Sequence, residues 1–223
     1  MNELIFVFQS TFLIGIALLA LWLGKEALIT FVALSGILAN LFVVKQITLF
    51  NLQVTASDAF AIGAVTGLNL LNEYYGRLST RKALYIAFGA TVVFTIFSTI
   101  HLCYQPNWCD TSHLHFNAIL GNTPRIVIAS LFSYFTSQSI EYRLYSLLKT
   151  ATNGRYLVLR NIITMTVSQG IDTILFSFLA LYGIVGNIFD VILFGYAIKI
   201  ITITSMSPFI WLSKYIPKEK IAS

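Results

Sequence analysis

"TVSQGIDTILFSFL", Thr166 to Leu179, places a glutamine and an aspartate inside a long apolar run. Thirty-one residues earlier the chain reads "FTSQSIEYRLYSLL", Phe135 to Leu148. Aligning Ser168 with Ser137 matches Gln169 with Gln138, Ile171 with Ile140, Asp172 with Glu141, Leu175 with Leu144 and Ser177 with Ser146. The reading of this pair decides the fold. A carboxylate at the centre of a bilayer costs at least ~2.5–3.5 kcal/mol, so such a residue turns towards a bundle interior and marks a functional candidate.

The rest of the chain supports a bilayer setting. Its 223 residues are 57% hydrophobic and 10% charged, with a mean hydropathy of +0.80. Soluble domains carry roughly 25% charged residues. The apolar segments are long and do not alternate, which points to helices and not to a barrel. Seven can be drawn, at about 4–23, 27–44, 54–72, 83–103, 126–148, 158–183 and 189–212. Each approaches the ~20 residues that cross a hydrocarbon core. The expected fold is an all-α integral membrane protein. Its helical bundle has six core transmembrane helices (27–215), an accessory N-terminal helix (1–26) and a short tail (216–223).

Charge sets the orientation. Arg77, Arg81 and Lys82 cluster in one connection; Arg143, Lys149, Arg155 and Arg160 cluster in another; Lys214, Lys218 and Lys220 lie in the tail. The connections between them are poor in Lys and Arg. The positive-inside rule puts the three clusters and the C-terminus in the cytoplasm, with Lys45 a minor exception. The net charge of +5 therefore reads as topology and not as a nucleic-acid surface. No cleavable leader is evident in "MNELIFVF".

Helical spacing gives the polar residues faces. Tyr134, Gln138 and Glu141 share one on the fifth segment. Asn161, Ser168 and Asp172, with Gln169 beside them, share one on the sixth. Thr66, Asn69 and Glu73 share one on the third, and Tyr196 with Lys199 one on the seventh. The fifth and sixth segments are consecutive and run antiparallel, so the Gln-x-x-acid pattern occurs on two opposed helices. That is the appearance of a site at a pseudo-two-fold axis, as in transporters built of inverted repeats; a chance match is the alternative. Lys199 paired with Asp172 or Glu141 as a structural lock is the bland reading of the charges. Arg160 reads as either a snorkelling residue or a site residue. Asp58 reads as solvated or as a local cap.

The connection "HLCYQPNWCDTSHLHFN" holds His101, Cys103, Cys109, His113 and His115. It lacks zinc-ligand spacing. A Cys103–Cys109 disulfide in an oxidising compartment is a second possibility, and neither a metal nor a disulfide the third. No catalytic or phosphate-cradling motif is present, so no cofactor is expected and no ATP site.

Four stretches, "NLLNEYYGRLSTRKALY", "SYFTSQSIEYRLYSLLK", "RNIITMTVSQGIDTILFSFLALYG" and "GYAIKI", together resemble the YhhQ-type queuosine precursor transporter family, also described as vitamin uptake transporters. The likeness covers about residues 30–215 in the same order. It implies six core spans in the inner (plasma) membrane and import of a 7-deazaguanine base (preQ0, preQ1 or queuine) for tRNA modification, by a secondary transporter or a facilitator. Asn69 and Glu141 stand where the family often has Asp. On this reading the partners are a small nucleobase and the lipid bilayer, without direct nucleic-acid contact. The substrate-binding candidates are Asp172, Gln169, Glu141, Gln138, Lys199, Asn69, Glu73, Tyr134, Arg160, Asn161 and Ser168. A homodimer or an energising partner is left open. So are two other classes: a binding subunit of a larger uptake system, and a membrane enzyme using the outer histidines.

The charge reading is checked by fusion reporters. A fluorescent protein that folds only in the cytoplasm should light up when fused after Ser223 and stay dark when fused within 104–112.

Overall fold

The computed structural model describes residues 1–152 and 157–204. Its order is α1 (Asn2–Leu23), α2 (Lys25–Phe42), β1 (Gln46–Leu49), β2 (Leu52–Thr55), α3 (Asp58–Leu102), α4 (His113–Leu120), α5 (Thr123–Ala151), α6 (Leu157–Phe176) with a π-helical turn at Ser177–Leu181, and α7 (Ile188–Thr204). Four helices among the described residues are long and apolar enough to cross a membrane: α1, α2, α3, and α6 continued through its π turn. The protein is thus a multi-pass helical membrane protein. The tail and the last part of the segment expected at 189–212 lie outside the described residues.

The expected third and fourth segments form one continuous element, α3, broken only at Gly76 (φ 76°, ψ 172°). The break reverses the chain. A Cβ on Gly63 would lie 3.5 Å from Ser35 Oγ, and one on Gly36 would lie 3.9 Å from Thr91 Oγ1. Ser35 and Gly36 are neighbours, whereas residues 63 and 91 of a straight helix would be about 42 Å apart. Both halves of α3 therefore flank α2. A positive φ of this size is open to glycine and strained for other residues, so the E-x-Y-G-R stretch at Glu73 to Arg77 carries the reversal.

The core is built from small residues facing large ones. On α1 the buried face is Phe6, Ser10, Leu13, Ala17, Ala20 and Leu21, at helical spacing. Leu4, Phe8, Phe12 and Leu19 lie exposed on its other side, as expected of a helix surrounded by lipid. The α1 face joins one apolar core with α2, α3 and Phe194 of α7. Threonines on α3 return their hydroxyls to their own helix: Thr66 to Ile62 O at 2.8 Å and Thr91 to Ala87 O at 2.8 Å. In lipid this internal pairing is what makes a hydroxyl tolerable.

One element departs from the expected all-helical chain. The connection between the second and third expected segments, with the first residues of the third, forms a two-stranded antiparallel hairpin, and α3 starts only at Asp58. Phe50 and Asn51 form its two-residue turn, both at positive φ (49° and 64°). This is the hairpin turn whose twist suits the strands. Hydropathy does not separate a short strand from a helix end, so residues 54 and 55 read as the start of the third segment.

The hairpin ties three chain ends together. The Gln46 side chain donates to Ile184 O (3.1 Å) and accepts from Gly186 N–H (2.8 Å). The Gln53 N–H donates to Asp190 Oδ2 at 2.9 Å. Asn2 Nδ2 donates to Thr48 O at 3.1 Å. The starts of α1, α3 and α7 thus meet at one end of the bundle. Arg125, at the start of α5, closes the end of α6: its Nε and Nη2 donate to Leu179 O and Tyr182 O, both at 2.8 Å. A cation over exposed helix-end carbonyls is favourable.

Gly67 is the tightest of these contacts. A Cβ there would come 2.6 Å from Val32 Cγ2 and 3.2 Å from Phe31 Cδ1. Val32 is buried and stiff. Gly67→Val should therefore cost about 1–3 kcal/mol of overpacking. A lowered melting midpoint of the detergent-solubilised protein would show it, with Gly89→Val, where nothing lies near, close to wild type.

Candidate functional site

Two polar clusters lie where α5, α6 and α7 meet. The first joins α5 to α6. Ser168 Oγ donates to Glu141 Oε2 at 2.7 Å, and Gln138 Nε2 lies 3.4 Å from the same oxygen. Ser168 is buried and Glu141 half-buried, while Gln138 is exposed. The contact works because the helix faces around it are small. Ser133 and Ser137 on α5, with Thr164 and Ser168 on α6, are all buried, and small residues let membrane helices approach closely.

The second cluster joins α6 to α7. Lys199 Nζ lies 2.7 Å from Asp172 Oδ2, with side-chain exposures of 22% and 21%, and donates to Thr173 Oγ1 at 3.1 Å. Of the two pairings open in the sequence, the structure chooses Asp172. The approach of α7 depends on Gly170, whose Cβ would meet the Tyr196 ring at 3.3 Å. The Tyr196 hydroxyl continues to Thr166 O at 3.3 Å.

Tyr134 lies two turns before Glu141 on the same face of α5. Its ring meets Phe88 edge-on, with centroids 4.9 Å apart. Residues from α3, α5, α6 and α7 therefore converge here. Gln169 is half-buried on the same face of α6.

Other candidates lie apart. Asn69 is half-buried and Glu73 exposed, on the α3 half that leads into the Gly76 break. Arg160 and Asn161 fall on α6, but their side chains lie outside the described residues. In the connection between α3 and α4, Cys103 and Cys109 are free and exposed. His101 packs edge-on against Phe116, with centroids 5.3 Å apart. Among the described residues no group of three metal-ligating side chains is present. An apolar groove of about 610 Å³, lined by Ile128, Ala129, Phe132 and Leu179 below Arg125, lies away from the polar stripe.

The sequence reading missed three participants. Thr173 follows Asp172 directly and shares its lysine. Gly170 sets the distance to α7. Asp58, expected to be solvated or a cap, is half-buried at the first turn of α3 without a side-chain cap bond at that helix start. Only the glycine inside "SQGID" gave a signal, since an interior helix glycine points to close packing.

The two echoed segments are not used symmetrically. Ser168 of one bonds the acid of the other, whereas Ser137 turns back to Tyr134 O at 3.0 Å. Asp172 takes Lys199, and Glu141 has no ion pair among the described residues. The two acids therefore occupy different environments.

A lipid-embedded bundle with charged and amide side chains gathered between helices is the architecture of a membrane transporter. Comparison with known proteins agrees. Residues 59–213 match the family described as "Putative vitamin uptake transporter". The chain is 32% identical over 162 residues to a protein of Bacillus subtilis (strain 168) named "Probable queuosine precursor transporter", covering 72% of this chain and 71% of that one. No solved structure matches it significantly. The chain belongs to the vitamin uptake transporter family.

The Ser168–Glu141 contact is open to a direct test. Ser168→Ala leaves a half-buried carboxylate short of a donor and should cost about 1–3 kcal/mol. The loss of melting temperature should vanish when the same change is made on Glu141→Met, which has no oxygen left to accept from Ser168.

Proposed function

We propose that this protein imports a 7-deazaguanine queuosine precursor (preQ0, preQ1 or queuine) across the inner membrane, with its C-terminus in the cytoplasm. The name of the Bacillus relative supports the substrate class. The observation that carries the site is the pair of unlike acids on facing helices, Glu141 held by Ser168 and Asp172 held by Lys199.

The chemistry of the base fits such a pair. A 7-deazaguanine offers N1–H and an exocyclic amine on one edge, with a carbonyl beside them. One carboxylate accepts both donors, and an amide N–H serves the carbonyl. Asp172 with Gln169 reads this edge. Glu141 with Gln138 faces the other end, where an aminomethyl or secondary amine cation would sit. Tyr134 offers its ring to the flat bicycle. Lys199 holds the Asp172 charge in place while the site is empty, because an unpaired carboxylate in the bundle interior is costly. Asn69 and Glu73, on the α3 half that leads into the Gly76 break, are further candidates for contact with the base. Entry and release follow as secondary transport or as facilitated passage drawn by trapping of the base in tRNA.

The test is uptake by bacteria that neither make nor import precursors but retain the matching downstream enzymes. Each base is supplied at low concentration, and queuosine is measured in tRNA. One base should restore queuosine, and Asp172→Ala at normal protein level should abolish it. Restoration unaffected by Asp172→Ala would remove Asp172 from the site. Absence of uptake with every base, despite membrane insertion, would favour a binding subunit that needs an energising partner.

A further inference from the structure

Asp58 has an acceptor to spare. Its Oδ2 has one hydrogen bond among the described residues, from Thr55 Oγ1 at a long 3.5 Å, and that hydroxyl is also 2.8 Å from Ser57 Oγ. The carboxylate lies beneath the hairpin and against α7: a Cβ on Gly195 would come 3.6 Å from Asp58 Oδ1. The same Cβ would come 3.8 Å from the methyl of Thr173, whose hydroxyl accepts from Lys199. So Asp58, Thr173 and the backbone of α7 form one corner at Gly195.

Lys199 is four residues beyond Gly195, one helical turn away. Side chains lean towards the N-terminus of their helix, which for Lys199 is towards Gly195. Glycine leaves that path open. The charged groups facing this corner, among the described residues, are Lys199 from α7 and, through it, Asp172 from α6; β2 presents only the Thr55 hydroxyl.

We propose that Asp58 is the second seat of the Lys199 ammonium. When an incoming ligand takes the oxygens of Asp172, the ammonium moves one turn along α7 to Asp58, and returns when Asp172 is free. Two acids flanking one lysine give the ammonium an acceptor in either position, so the cation itself is never left without one, a costly state in a bundle interior. Asp58 is thus a positioning residue that acts on the ligand through Lys199. The hand-over on ligand entry rests on the import reading above; that Asp58 and Asp172 share the Lys199 ammonium does not.

The first arm of the test needs no substrate. Melting midpoints are compared for the wild type, Asp172→Asn, Asp58→Asn and the double variant, each purified as the full chain in detergent. Either single change leaves Lys199 one acid. The double change strands it, so the double loss should exceed about twice the sum of the single losses. Adding Lys199→Met should recover most of it, and should return to the membrane a double variant that fails to insert. Additive losses, or no recovery with Lys199→Met, overturn the proposal.

The second arm is uptake of the base that the wild type imports. Without the second seat the ligand must displace Lys199 from Asp172 unaided. Asp58→Asn should raise KM by about fivefold or more with the maximal rate nearly unchanged, and Asp58→Glu should restore KM. An unchanged KM, or a fall in maximal rate alone, overturns the hand-over. A wild type that imports none of the bases defeats the import reading only, and the melting arm then decides the proposal by itself.

Discussion

The ion pair between Lys199 and Asp172 is the constraint around which the interior is arranged. In lipid there is no water to receive an ammonium, so Lys199 needs an acceptor supplied by another helix. That requirement fixes the rotation of α7 against α6. It brings Thr173 beneath the lysine and the Tyr196 ring against Gly170, where a side chain larger than hydrogen would push the helices apart. The worth of the pair is not a large gain in stability. Desolvation offsets much of the attraction, while loss of one partner is severe. The pair sets register, and with the register it sets which polar side chains face one another.

Asymmetry at the α5–α6 contact follows from the same pair. Two segments with the same Ser-Gln-x-x-acid pattern face each other, yet only Ser168 bonds across. Its counterpart Ser137 bonds its own helix at Tyr134 O, while Asp172 is held by Lys199. A site with one acid neutralised by a cation and the other held by a hydroxyl presents unlike ends. An unsymmetrical ligand with an amide edge at one end and an amine at the other suits that difference.

Much of this was legible beforehand. Hydropathy and length located the apolar stretches of α1, α2, α3 and α6, and 3.6-residue spacing put Glu141, Ser168, Asp172 and Lys199 on faces that meet. The hairpin at Gln46–Thr55 was not legible, since its residues are as apolar as a helix end and its Phe50–Asn51 turn lacks the usual Asn-Gly signal. The Gly76 reversal was visible only as a basic connection between two segments; its compression into one residue depends on both halves of α3 packing on α2. Asp58 was misread because its position near a segment end suggests solvent, and only the fold of the hairpin over it removes that solvent.

By itself the sequence determined the solvent of this protein and the list of side chains that had to be hidden from lipid. These depend on composition and local period, which a chain carries without folding. Only the tertiary structure decided which acid holds the lysine, which serine reaches across and which glycines are filled against. Those outcomes depend on the relative depth and rotation of helices distant in sequence. A shift of one residue turns a helix by about 100° and gives every polar group a different neighbour.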